Sequence, residues 1–284
     1  MVKKMDDINN SLQNQDQEVY NTICITGVAG TICNALGAEA PECASAGIGI
    51  LDAAIKQVFA GKGADRVFMY NPDAIGLWLY QKYTSMFEPA ILSSQLALPM
   101  LSVMPSVTPV AFASMYTGAL PEVHGIRAYK KPVLTVDTVF DALIRAGKKP
   151  AIISTGEDSI SKIFLERKMD YFIYPDVEKA NKKAFELIDE DKYDLIVLYN
   201  GNYDDNMHKV SPEGADAIRA LEHNVNTYNK LYTALKEKWA NHNTLLAFAP
   251  DHGCHAIDGG SGGHGLYQPE DMNIIHFYTL LPKA

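Results

Sequence analysis

From Arg66 onward the chain repeats one unit: a short apolar run, a loop carrying Asp, Gly or Asn, then an amphipathic helix. The runs are 66–70, 151–154, 171–174, 195–199, 245–249 and 274–278, and helical spacing fills 138–146, 177–189 and 215–240 between them. Strands that alternate with helices in this way pair in parallel, with the crossover helices covering the sheet. The expected fold is therefore α/β, a largely parallel central sheet with helices on both faces.

In open α/β sheets the binding crevice lies beyond the carboxyl ends of the strands. Three of the runs lead into acid there: VFMYNPD reaches Asp73, LIVLYNGNYDD reaches Asp204 and Asp205, and LLAFAPDHG reaches Asp251 and His252. Singly, each has an ordinary explanation. Asp73 would cap a helix over 74–83, Asp204 would serve a turn, and Asp251–Gly253 would be a hydrogen-bonded strand exit. Together they form a pattern, because Asp204 and His208 sit four apart, Asp251 and His252 are adjacent, and His264 stands in the loop GGSGGHG. Carboxylates and imidazoles converging on one rim suit zinc or another first-row divalent ion. A second signal is PSVTPVAFASMYTGALPEVHG, where Thr108 before Pro109 reads as a helix N-cap. The same position puts a hydroxyl at the positive end of a helix, beside free backbone N–H groups that hold phosphate oxygens.

Charge narrows the partners: a net charge of −9 and no basic stripe argue against a nucleic acid polymer. The polar start has no apolar signal core and no run reaches membrane-spanning length, so the expectation is a cytoplasmic protein without a membrane partner. One domain over 1–284 is expected, with 1–18 as a flexible tail and 20–61, rich in Ala and Gly, as a short helical appendage. The four cysteines lack paired spacing and read as reduced thiols. GGSGGHG lacks the strand-to-helix setting of a dinucleotide fingerprint, which removes an NAD reading.

The segment SVTPVAFASMYTGALPEVHGI resembles the nucleophile region of alkaline phosphatase superfamily phosphodiesterases and nucleotide pyrophosphatases. There a Thr or Ser starts a helix that ends in TG and is followed by P-E-x-H-G-I. Asp73 with its strand, the DDNMH pair, the APDHG exit and the GGHG loop come in that family's order, and the resemblance spans about 66–267. It implies hydrolysis of a small-molecule phosphate mono- or diester through a phosphothreonine on Thr108. It also implies two divalent metal ions, zinc with manganese as the alternative. One ion is held by Asp73, Thr108, Asp251 and His252 and the other by Asp204, His208 and His264. Asp204 is preferred to Asp205 because the family spaces carboxylate and histidine by four.

Departures from the family are equally informative. SVTPV is not the C-x-P-S-R or S-x-P-S-R of sulfatases, which disfavours sulfate hydrolysis. After His124-Gly125-Ile126 the phosphodiesterases often carry a phosphate-binding Asn, whereas this chain continues Arg127-Ala128-Tyr129-Lys130-Lys131. Arg127, Lys130 and Asn202, with Asn200, are the candidates to bind phosphate in its place. Ser106 is a rival nucleophile. Two other functions remain open: phosphoryl transfer within one substrate, as in the superfamily's phosphosugar mutases, and a metal-binding pseudoenzyme. The missing cap domain stands against the first and the intact set of candidate ligands against the second.

Overall fold

The computed structural model describes residues 19–284, so the expected tail 1–18 lies outside the described residues. Its strands are β1 (Ile23–Cys24), β2 (Arg66–Pro72), β3 (Leu96–Leu101), β4 (Pro150–Thr155), β5 (Asp170–Tyr174), β6 (Leu195–Asn200), β7 (Thr244–Phe248), β8 (His255–Ile257), β9 (Ser261–Gly263) and β10 (Asn273–Leu281). Eight of them form one sheet in the order β1-β3-β10-β7-β2-β6-β4-β5, while β8 and β9 pair as a separate hairpin. β10 runs antiparallel to β3 and β7, and the remaining pairs of the large sheet are parallel. The six apolar runs are all strands. β3 was not legible, because Pro99 inside LALPML removes a ladder donor and breaks the apolar pattern.

Side chains alternate across the sheet and build a core on each face. Val67, Met69, Leu195, Val197, Leu245 and Ala247 join one core, whereas Phe68, Tyr70, Ile196, Leu198, Leu246 and Phe248 join the other. The long helix Ala215–Lys238 and the helix Val177–Glu190 cover the second face; Gly27–Leu36 and Thr108–Thr117 cover the first.

The segment 20–61 does contain two helices, Gly27–Leu36 and Gly49–Val58, but it is built into the sheet. β1 adds an edge strand beside β3, and every residue of Gly27–Leu36 except Asn34 is buried. Its Ala and Gly content serves close packing. A Cβ on Gly30 would stand 2.7 Å from both the Gly47 nitrogen and the Ser45 carbonyl oxygen.

Candidate metal and nucleophile site

Three strand ends bring the acidic residues together because β7, β2 and β6 are neighbours. Asp73 leaves β2 directly after Pro72, with its backbone N–H donated to the Asn200 carbonyl at 3.0 Å. It is not a helix cap: the helix expected from residue 74 begins at Leu77, with Gly76 in the capping position. Asp251 and His252 follow β7, and Asp204 lies in the first turn of the helix Asn202–Val210 that leaves β6, one turn before His208.

Thr108 corrects the capping expectation. It is the first residue inside the helix Thr108–Thr117, while Val107 takes the extended cap conformation (φ −129°, ψ 146°) and no side chain caps the helix. Thr108 is already helical, so its hydroxyl does not serve the amides ahead of it. It donates to Asp73 Oδ2 at 3.4 Å and lies 3.3 Å from His252 Nε2. The GGSGGHG loop is equally specific, because Ser261–Gly263 forms β9, and a side chain on Gly262 would collide with Met207 of the helix Asn202–Val210. That contact seats His264 against His208.

The residues fall into two groups whose ligand atoms lie within 4.8 Å of one another: Asp73, Asp251 and His252, and Asp204, His208 and His264. The histidines share one device. Nδ1 of His252 lies 2.9 Å from the Gly253 carbonyl, Nδ1 of His208 2.9 Å from the Gly262 carbonyl, and Nδ1 of His264 3.0 Å from the Ser106 carbonyl. A carbonyl only accepts, so each Nδ1 donates to it and each ring turns Nε2 into the site. Those Nε2 atoms meet carboxylate oxygens: His252 faces Asp73 Oδ1 and Asp251 Oδ2 at 3.4 Å, and His208 and His264 face Asp204 Oδ1 at 3.4 Å. None of the three oxygens accepts a hydrogen bond. Buried carboxylate oxygens left without a donor are costly unless a cation sits among them, so the donor set fits divalent metal.

The electrostatics agree. Burial, followed by the Asp204 charge, pushes the Asp73 carboxyl up; burial and the Asp73 charge push Asp251 well above the usual range. His208 is drawn up to about 9 by the Asp204 carboxylate, 3.4 Å from its Nε2. His264 is pushed down to about 3, first by burial and then by His252, whose ring stacks on it at 4.2 Å. Asp158, outside the sequence expectations, is pushed up to about 6 by burial.

The surroundings tie these groups in by hydrogen bonds. Ser102 Oγ donates to the Asp251 carbonyl at 2.7 Å, and the Gly253 N–H donates to the Asp271 carbonyl at 2.8 Å. Buried His276 is held between the Tyr278 hydroxyl, 2.9 Å from Nδ1, and the Pro250 carbonyl, 2.8 Å from Nε2. The Tyr278 hydroxyl donates to Nδ1, and Nε2 donates to the carbonyl. Burial pushes His276 down to about 4, below the ordinary 6.5, so between these values the unfolded chain binds the proton and the folded one does not. Its contribution is complete above about 6.5 and is shed as pH falls to about 4, on the order of 3 kcal/mol. Urea unfolding of the metal-free protein should show this loss, and His276→Gln should flatten it; an unchanged slope would remove His276 as the cause.

The remaining candidates are placed differently. Arg127 is exposed and donates to the Glu122 carbonyl at 3.0 Å, and Lys130 is exposed. Asn202 starts the helix that carries Asp204, with its Oδ1 buried and without a hydrogen-bond partner; Asn200 Oδ1 is likewise unpartnered. Ser106 donates its hydroxyl to the Leu266 carbonyl at 3.3 Å. His124 is a structural brace, since Nδ1 accepts from the Ile126 N–H and Nε2 lies 2.9 Å from Ser114 Oγ. His255 pairs with buried Asp271 at 2.7 Å, while the Cys254 thiol is buried. Tyr116 packs among Phe112, Phe140 and Phe164, and Tyr80 against Phe87 and Phe277. Tyr199 was missed: its hydroxyl donates to Asp73 Oδ2, yet inside LIVLYN it reads only as strand core.

No protein-family model and no curated protein matches the sequence. Solved structures do. Murine ectonucleotide pyrophosphatase/phosphodiesterase 5, an inactive form in complex with AMP, superimposes with a TM-score of 0.55 at 18% identity, covering 69% of this chain and 59% of that one. The human counterpart gives 0.56 at 16% identity, covering 68% and 58%. Phosphonoacetate hydrolase from Sinorhizobium meliloti, in complex with phosphonoformate, gives 0.51 at 17% identity, covering 69% and 59%. The chain thus spans less than three-fifths of the length of these proteins. Among the described residues no helix is long and apolar enough to cross a membrane.

Proposed function

From the alkaline phosphatase-like fold that this chain has, we propose that it is a divalent-metal-dependent hydrolase of phosphate mono- or diesters that works through a phosphothreonine on Thr108. One observation carries the proposal. Three histidines, each fixed by a backbone carbonyl on Nδ1, present Nε2 to three unpartnered carboxylate oxygens, and a buried threonine hydroxyl touches Asp73 and His252 of one of the two groups. Two divalent cations, zinc or alternatively manganese, would supply the positive charge and Lewis acidity that lower the hydroxyl's pKa and stabilise the entering and departing oxygens. Asp73, Thr108, Asp251 and His252 would hold one, and Asp204, His208 and His264 the other.

The chain's own groups then account for the steps. Thr108 Oγ1 attacks phosphorus as the bond to the leaving oxygen breaks, giving phosphothreonine at the start of a helix whose dipole favours the anion. Asp73 Oδ2, which accepts a hydrogen bond from the hydroxyl, holds Oγ1 in place before its proton is lost to solvent and attack begins. Water then attacks the phosphothreonine, frees Thr108 and releases the phosphate product. The Asn202 amide, with Arg127 and Lys130 from the exposed loop, binds the non-bridging oxygens where the related enzymes use an asparagine.

The substrate is a small molecule, in keeping with the acidic surface. Purified protein incubated with zinc or manganese should release p-nitrophenol from p-nitrophenyl phosphate or its bis ester, or product from a nucleotide diester. Silence across that panel with metal bound would reduce the chain to a metal-binding protein, and isomerised sugar phosphate without hydrolysis would replace the reaction with intramolecular transfer.

A further inference from the structure

Asp73 uses its two carboxylate oxygens differently. Oδ2 accepts from the hydroxyls of Tyr199 and Thr108, whereas Oδ1 is buried, accepts from nothing, and faces His252 Nε2 at 3.4 Å. We infer that Tyr199 is a positioning residue whose hydroxyl pins Oδ2 and thereby commits Oδ1 to the cation, an inference that rests on the two-metal reading above.

Three features place the hydroxyl. β6 pairs with β2 so that Tyr199 lies opposite Asn71, and side-chain alternation directs Asp73, two residues on, to the same face. The Tyr199 ring packs edge-on against Phe112 at 5.5 Å and 81°, on the helix that begins with Thr108. Gly201 completes the arrangement. Its backbone (φ −91°) does not require glycine, but a Cβ there would stand 2.9 Å from the Tyr199 hydroxyl oxygen and 3.2 Å from Cε1. The space a side chain needs is filled by the phenol.

A phenol suits this position because it donates one hydrogen bond without adding charge. Asp73 therefore keeps its negative charge for the cation while losing its freedom to rotate. Partners of this kind, hydrogen-bonded to a metal ligand from behind, typically matter by roughly 10–100-fold in metal affinity.

Tyr199→Phe deletes the hydroxyl and keeps the ring. Chelator-stripped protein titrated with Zn²⁺ by calorimetry, and with Co²⁺ as a spectroscopic probe, should show one ion bound roughly 10–100-fold more weakly and the other unchanged. The thermal midpoint of the stripped protein should stay near wild type. Gly201→Ala, which displaces the phenol without removing it, should give the same selective loss and serves if Tyr199→Phe folds poorly. Asp73→Ala separates the two readings. If it still binds both ions at wild-type affinity, the metal reading fails. If it loses one ion while Tyr199→Phe binds both normally, the positioning role is overturned and the metal reading stands. Equal weakening of both ions in Tyr199→Phe and Gly201→Ala also overturns the positioning role, because it marks a general loosening of the site.

Discussion

Thr108→Val should leave a folded protein whose activity falls by on the order of a thousandfold or more, while Thr108→Ser remains active. The contrast rests on what the hydroxyl does in the fold. It does not cap its helix, because Val107 occupies that position, so stability depends on it only through weak contacts with Asp73 at 3.4 Å and His252 at 3.3 Å. Losing one such bond costs about 1 kcal/mol, a fraction of the stability of a domain this size. Val fills nearly the same space and Ser restores the nucleophile. Circular dichroism and thermal melting should therefore place all three proteins close together while their turnover separates. Rapid quenching with a slow substrate, followed by mass spectrometry, should find a phosphoryl group on Thr108. Full activity in Thr108→Val would end the nucleophile assignment. An adduct on Ser106 would move it two residues upstream, against the present orientation of that hydroxyl toward Leu266.

Much of this site was legible because its residues stand at strand exits, and a parallel sheet delivers strand exits to one rim. Asp73, Asp204, Asp251 and His252 needed only the strand order to meet, and the spacing of four between Asp204 and His208 needed only a helix. The same logic fails where a residue acts through a bond the local pattern does not encode. Tyr199 is apolar by neighbourhood and polar by contact, and only the pairing of β6 with β2 puts its hydroxyl on Asp73. Thr108 was legible as a helix start but misplaced by one position, since capping depends on dihedral angles that T-P does not fix. Residues 20–61 read as a helical appendage because small residues carry little apolar signal. In the fold that smallness lets the helix Gly27–Leu36 pack closely enough to be buried.

Chelator-stripped protein should take up two divalent ions per chain, release protons as it does so, and gain thermal stability. The stoichiometry follows from two ligand groups that share no residue. The proton release follows from the charges. The Asp204 carboxylate beside it draws His208 up to about 9, so near neutral pH that ring holds a proton which a cation must displace. Affinity should therefore rise with pH toward about 9 and fall as the solution is acidified, and calorimetry in buffers of different ionisation heat should count the protons. A ligand at a hundred times its dissociation constant adds about 2.7 kcal/mol to the folded state. For a domain of this size that moves the melting midpoint by roughly 5–10 °C. The two groups should also separate kinetically. Asp73→Ala removes a partner of the Thr108 hydroxyl and should slow formation of the phosphothreonine. Asp204→Ala and His264→Ala leave Thr108 and its partners intact, so they should slow its hydrolysis and let phosphoenzyme accumulate. Absence of metal uptake together with chelator-resistant activity would remove both metal groups from the mechanism. Wild-type metal content and kinetics in all three variants would show that the ligands had been assigned to the wrong residues.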